Sequence, residues 1–136
     1  MVDKKGSCHT EEDRKEFIRA GNLKVEDISV EHLCSLDELL NCDVNEWSEM
    51  SIGLSDDIIA TTILKSSERV ISHVLDFMSS NQAEKIRHIM RELSDIPNGY
   101  IQVSRDILLG NYDASGERRD WLTIMNVRIN EFRLSR

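Results

Sequence analysis

The chain has 136 residues and a formal net charge of −8, with 40% apolar and only 5% aromatic residues. This length accommodates one domain with a real core but not two full-sized domains. No apolar run approaches the length of about eighteen residues that a membrane helix needs, and the first residues lack the apolar stretch of a secretory signal. We therefore expect a cytoplasmic protein without membrane insertion.

The charge is unevenly distributed. Residues 1–57 carry six Lys/Arg against fifteen Asp/Glu, residues 58–116 carry six against seven, and residues 117–136 carry five against three. An acidic first half repels phosphate backbones and anionic lipid, so nucleic acid is not the expected partner. The basic tail is best explained as a solvated helix end, with contact to an acidic partner as the alternative. Three cysteines at no framework spacing indicate reduced thiols.

The sequence predicts a flexible amino terminus over 1–10, followed by a single helical domain over 11–136. The run EEDRKEFIRAGN predicts a short helix that ends at Gly21. In VEDISVEHLCSLDELLNCD, apolar residues recur at helical spacing, which predicts one helix or two short ones. Ser35 and Glu38 have the spacing of a capping box for the second start.

Two short helices are predicted next. DVNEWSEMSIGL favours a helix that ends at Gly53. Ser55 then supplies a cap, and Asp56 and Asp57 supply first-turn acids, for a helix through IIATTILK. The high β-branched content of that run makes a strand the competing interpretation, and the cap favours the helix.

The most regular part of the chain predicts two amphipathic helices separated by a Met-Ser break. Ser79 and Gln82 have capping-box spacing at the second start. His73 and His88 fall opposite the apolar stripes, so we expect both to be exposed. The stripes consist of Val70, Ile71, Val74, Leu75 and Met78 in the first helix, and Ala83, Ile86, Ile89, Met90 and Leu93 in the second.

The remaining residues predict two further helices. Pro97 marks a turn before a helix through YIQVSRDILL, which Gly110 ends, and NYDASGERR forms a polar loop. An amphipathic C-terminal helix is predicted over about 117–135 from the spacing of Trp121, Met125, Ile129 and Phe132. Together these elements predict an all-α compact bundle or short superhelix of about seven to eight short helices.

Catalytic and metal-binding motifs are missing from the sequence. His32 and Cys34, two apart on a predicted helix, point about 200° from each other, and no CxxC or HxxxH pattern completes a site. The six glycines form no phosphate-binding or nucleophile motif. Paired acids stand at predicted helix starts, where the helix dipole explains them. We therefore expect neither catalytic residues nor a metal or cofactor.

The segment from Ile63 to Met90 resembles the signature of the C-terminal domain of the flagellar rotor switch protein FliG. That signature is an ALKGASE-like helix end, an amphipathic helix, a Met-Ser break and an RAAE-like helix start. The residues that match without a gap are Ile63, Ser67, Glu68, Val70, Val74, Leu75, Met78, Ser79, Ala83, Glu84 and Ile86. The resemblance extends over about 25–110 and implies an armadillo-like helical fold.

The charged residues that transmit torque in the family are not retained at the aligned positions of this chain, with replacement of the first by Lys65, one residue away, as the alternative. In FliG, charged residues on this segment face the stator and transmit torque. The aligned positions here are Leu64 in place of a Lys, Asn81 in place of an Arg, and His88 and Ile89 in place of two acids. The resemblance therefore implies a stand-alone FliG-like adaptor or regulator of a motor or other membrane-associated assembly.

The leading hypothesis is thus a non-enzymatic domain that binds another protein, such as a motor, secretion or signalling component. Two alternatives stay open. One is a DNA-binding or transcription-regulating protein that uses the basic C-terminal helix. The other is a small helical hydrolase or ligand-binding protein that uses the acidic first half. Candidate partner-binding residues are Asn81, Arg87, His88, Arg91, Arg118, Arg119 and Trp121.

Overall fold

The computed structural model describes residues 28–110 and 118–135, and within these ranges the chain is helical and contains no strand. The predicted all-α class is confirmed. Two short 3-10 turns, Val30–His32 and Asp37–Asn41, precede the α-helices. The α-helices are α1 (Val44–Met50), α2 (Asp56–Ile63), α3 (Glu68–Leu75), α4 (Ser80–Glu92), α5 (Asn98–Leu109) and α6 (Arg118–Leu134).

Some predictions fall on other parts of the chain. The flexible amino terminus and the first helix, which was predicted to end at Gly21, lie outside the described residues. So does most of the polar loop, at 111–117. The described part contains six α-helices, and the predicted total of seven to eight stays a prediction.

Helix α2 lies at the centre of the described helices. It packs against α4, α5 and α6, and every residue from Ile58 to Ile63 is buried. The hydroxyls of Thr61 and Thr62 donate to backbone carbonyls four residues earlier, at 2.8 and 2.7 Å. Because these hydroxyls are satisfied within the helix, a β-branched helix can be buried on all sides. The strand interpretation of this run is wrong.

Serine caps begin three of the helices, as two predictions anticipated. Ser55 begins α2, where its hydroxyl accepts a hydrogen bond from the Ile58 N–H at 3.2 Å. Ser67 caps α3 in the same way through Val70. These bonds satisfy N–H groups that the first turn of a helix leaves unpaired.

The capping box predicted for α4 forms only in half. Ser79 accepts a hydrogen bond from the Gln82 N–H, but the Gln82 side chain does not return to the backbone of the cap. It donates instead to Asp56 Oδ1 at 3.0 Å, in the first turn of α2. A hydrogen bond to a carboxylate is stronger than one between neutral groups, which explains the preference.

The first-turn acids of α2 also connect it to α6. Arg133 Nη1 lies 2.7 Å from Asp57 Oδ1, and its Nη2 lies 2.6 Å from Glu92 Oε1 at the end of α4. One arginine of the C-terminal helix thus holds the start of α2 and the end of α4. Such a two-carboxylate contact is geometrically specific, because both amino groups of the planar guanidinium are used.

The leucine-rich segment before α1 differs from its prediction. It forms 3-10 turns, and the Ser35–Glu38 capping box is absent because the Ser35 hydroxyl accepts from the Asp37 N–H instead, at 3.0 Å. Leu36 and Leu39 are nevertheless buried, so the apolar spacing identified core residues correctly. The 3-10 form suits such short segments, since its longer runs have poor hydrogen-bond geometry.

Helix α1 begins with a cap that was not predicted. Asp43 and Glu46 form a complete capping box, and the buried Trp47 stacks on Phe77 with ring centroids 5.9 Å apart. The helix ends at Met50, and Gly53 closes the following turn with φ of 82°. Glycine adopts this left-handed conformation at little cost.

The end of α3 corrects two predictions. The helix stops at Leu75, so Met78 lies in the tight turn that follows rather than in the helical stripe. His73 is half-buried rather than exposed. Its Nε2 donates to the Cys42 carbonyl at 3.1 Å, and its ring meets the edge of Phe77. The turn brings Phe77 back over His73, and helical periodicity does not predict this contact.

Helices α5 and α6 follow their predictions closely. α5 begins after Pro97 and ends at Gly110, whose φ of 74° is left-handed. In α6, Met125 and Ile129 are fully buried, while Trp121 and Phe132 are partly buried against the core. The buried apolar side chains of the described residues form one cluster.

A buried arginine, Arg105 on α5, stabilises the centre of this arrangement. The residue is only 4% exposed, and its guanidinium donates from Nε to the Thr62 carbonyl at 3.0 Å and from Nη2 to the Leu64 carbonyl at 2.7 Å. Nη1 donates to the Cys34 carbonyl at 2.6 Å. A positive charge at the C-terminal end of α2 also complements the helix dipole. Burial lowers the pKa of Arg105, with the Cys34 thiol acting in the opposite direction.

We expect Arg105→Met to lower the free energy of unfolding by about 3 kcal/mol or more, because three backbone carbonyls, two of them buried, lose their donor. Arg105→Lys should fall between wild type and Arg105→Met, since an ammonium does not reproduce the planar fork. Urea denaturation measures all three. Arg69→Met removes an exposed arginine of α3 and should change stability by no more than about 0.5 kcal/mol. Equal losses in the Arg105 and Arg69 variants would contradict this role.

Candidate protein interaction surface

Helix α4 presents a continuous polar face to solvent. Ile86 and Ile89 are buried against the core. On the opposite side of the helix, residues spaced three or four positions apart share one surface. These residues line a shallow groove of about 410 Å³. We call this surface the α4 outer face: Asn81, Glu84, Lys85, His88 and Arg91.

The polar groups of the α4 outer face are only weakly engaged by the rest of the chain. Lys85 Nζ lies 3.3 Å from Asp56 Oδ2, but its side chain is 66% exposed. His88 is 64% exposed and lies 3.8 Å from Glu92, a contact at the limit of an ion pair. Within the described ranges, the side chains of the other three members form no hydrogen bond or ion pair. Their polar groups therefore remain available to a partner.

Arg87 does not belong to this face. Its Nη2 donates to Glu68 Oε1 on α3 at 3.1 Å. The structure places it beside a separate depression of about 240 Å³ between the end of α3 and the start of α4. Of the four candidates on α4, three thus lie together and Arg87 stands apart.

The candidates in the tail lie on a different helix, α6. Arg118 donates to the carbonyl oxygens of Met50, at 2.8 Å, and of Ile52. It therefore stabilises the turn after α1. Trp121 is partly buried against the core, and Arg119 is exposed. The structure does not bring these residues together with the α4 outer face.

The positions that the predicted resemblance aligns with FliG torque charges divide into two groups. Leu64 is 7% exposed and Ile89 is 2% exposed, so neither can contact a partner. Asn81 and His88 are exposed and belong to the α4 outer face. Glu84 and Lys85 lie on the same face but were not among the predicted site residues, although their spacing of three and four residues from Asn81 indicates a shared face.

The Cys42 thiol is a titratable group with a shifted pKa. Burial raises the pKa of Cys42, and the nearby acids Glu46, Glu38 and Asp43 raise it further. A raised pKa keeps this thiol protonated and weakly nucleophilic. Among the described residues, no group of three or more His, Cys, Asp and Glu side chains is placed to hold a metal ion. Nor is any helix of those residues long and apolar enough to cross a bilayer.

Comparisons of the chain with known protein families, curated proteins and solved structures find no match.

Asp106, on α5, generates a prediction about pH. Burial raises the pKa of its carboxyl group, against the lowering effect of the hydrogen bond that Gln102 donates. An acid whose pKa is higher in the folded state binds more protons there, so stability falls as pH rises through that range. We expect Asp106→Asn to be more stable than wild type at pH 7, because a neutral amide avoids the cost of burying the charged carboxylate. Its amide oxygen still accepts the hydrogen bond from Gln102.

This advantage in stability should disappear at pH values below 3.8, the ordinary pKa of the carboxyl group, because Asp106 is then neutral in both the folded and the unfolded chain. Urea denaturation across a pH series measures the effect. Glu131→Gln, at an exposed position of α6, controls for removal of a surface charge. An advantage of Asp106→Asn that is the same at all pH values would contradict this explanation.

Proposed function

We propose that the chain is a non-enzymatic helical interaction domain that binds another protein through the α4 outer face. The observation that carries this proposal is the row of exposed polar groups along three turns of a helix whose other side is fixed in the core. A rigid helix presents such groups in fixed positions, which reduces the entropy lost on binding.

The charges of the α4 outer face favour a protein partner over a polyanion. Lys85 and Arg91 are offset by Glu84, and an amide and an imidazole lie among them. Nucleic-acid binding depends on a single-sign basic surface, whereas protein interfaces pair charges of both signs. The basic C-terminal helix also lends no particular support to the DNA-binding alternative, since Arg118 and Arg133 form internal contacts.

Two features support a FliG-C-like, armadillo-like arrangement of the helices. Lys65 has φ of 65°, and it aligns with the glycine of the ALKGASE signature, a residue suited to that conformation. Ser67 and Ser79 begin α3 and α4 at the serine positions of the signature. On this basis we propose a cytoplasmic adaptor or regulator of a motor or other membrane-associated assembly.

We expect the double variant Asn81→Glu and His88→Glu to bind its partner at least about tenfold more weakly, because the two added carboxylates reverse the net charge of the groove from positive to negative. Affinity capture from the source cell with quantitative mass spectrometry identifies proteins that wild type retains and this variant loses. Titration of a purified partner then gives the affinities.

The matched control is Thr123→Glu with Asn130→Glu. These two exposed residues of α6 have the same seven-residue separation and receive the same added groups. Circular dichroism should show unchanged helix content in both variants. The proposal fails if the two double variants lose the same proteins, or if neither loses any.

A further inference from the structure

A further cleft lies beside the buried Arg105, away from the α4 outer face. It has a volume of about 190 Å³ and lies between the segment around Ser35 and the link from α2 to α3. Since a water molecule takes about 30 Å³ of liquid volume, this space accommodates a small polar ion with a few waters. Its lining includes the polar residues Ser35, Asp37, Lys65, Ser66, Ser67 and Arg105.

The serine hydroxyls of this cleft have unused donors. Ser35 accepts from a backbone N–H, Ser66 accepts from Arg105 Nη2, and Ser67 accepts from the Val70 N–H. A hydroxyl that accepts still has one proton to donate. Within the described part of the chain, these three protons have no acceptor. The cleft therefore offers three O–H donors.

Arg105 adds a buried positive charge to this set. Four of its five N–H groups donate to carbonyl oxygens and to Ser66, which leaves one on Nη1. Its partners among the described residues are all neutral oxygens, so no carboxylate of that part of the chain pairs with the guanidinium. Burying a charge without a counter-charge is costly, and an anion in the cleft reduces that cost.

Two further charged side chains affect how favourable the cleft is for an anion. Lys65 is exposed at the rim, and its Nζ donates to Asn98 Oδ1 at 2.6 Å. Asp37 is the one acidic side chain among the described residues that line the cleft, and it opposes an anion. The cleft thus combines donors and positive charge with a single negative group, and that group can be removed by mutation.

We propose that this cleft binds a phosphate group, either as free phosphate or as part of a small phosphorylated molecule. The hydroxyls of Ser35, Ser66 and Ser67 donate to its oxygens, and Arg105 supplies the counter-charge. This site is independent of the α4 outer face and of the interaction function.

Titration of the ¹⁵N-labelled full chain with inorganic phosphate tests the proposal by NMR, at constant ionic strength maintained with chloride. We expect saturable shifts of the amides in 34–37 and 65–68, with a dissociation constant on the order of millimolar. A parallel titration with O-phosphoserine distinguishes the two sources. Tighter binding of phosphate indicates the free ion, and tighter binding of phosphoserine indicates a phosphorylated molecule.

Three variants make the test specific. Ser67→Asp keeps an N-cap acceptor for Val70 but adds a negative charge, and should weaken binding at least about tenfold. Asp37→Asn removes the opposing charge and should tighten binding at least about threefold. Ser79→Asp makes the same cap substitution at α4, outside the cleft, and should bind as wild type does. No saturable shift in wild type, or equal binding by Ser67→Asp and Ser79→Asp, overturns the proposal.

Discussion

The Arg105 guanidinium joins parts of the chain that lie between 39 and 71 residues away in sequence. It holds the C-terminal end of α2 and the segment at Cys34 against α5. A short helix such as α2 has little stability by itself, and its last carbonyls have no partner within the helix. By donating to the Thr62 carbonyl and to the Leu64 carbonyl just beyond the helix, Arg105 allows the end of the central helix to be buried. The rest of the bundle then packs around a helix whose position is fixed.

The opposite end of α2 is fixed by charges of the other sign. Asp56 receives hydrogen-bonding groups from α4, and Asp57 receives Arg133 from α6. Both ends of the central helix thus have side chains that complement its dipole, with acids at the start and an arginine at the end. Because α4 is tied to α2 at Asp56 and through its buried isoleucines, the α4 outer face has a defined orientation. Both proposed binding sites depend on this central helix.

The features that could be predicted from the sequence are those that depend on residues close together along the chain. Caps such as Ser55, the apolar stripe of α4 and the ends at Pro97 and Gly110 are local signals, and the structure confirms them. The sequence did not predict the role of Arg105, because an arginine in an amphipathic run is normally solvated. His73 was wrongly expected to be exposed for a related reason, since a tight turn after α3 covers it with Phe77. Of the candidate site residues, only those that share one helix face could be grouped from their spacing.

Native-state hydrogen exchange tests most directly whether Arg105 makes α2 and α5 one cooperative unit. Amides of Thr62, Ile63, Ile107 and Leu108, which flank its contacts, should exchange with the same free energy, equal to that of global unfolding. In Arg105→Lys that common value should fall for both helices together. If α5 opened at a distinctly lower free energy than α2 in the wild-type chain, the guanidinium would not be the link on which the fold depends.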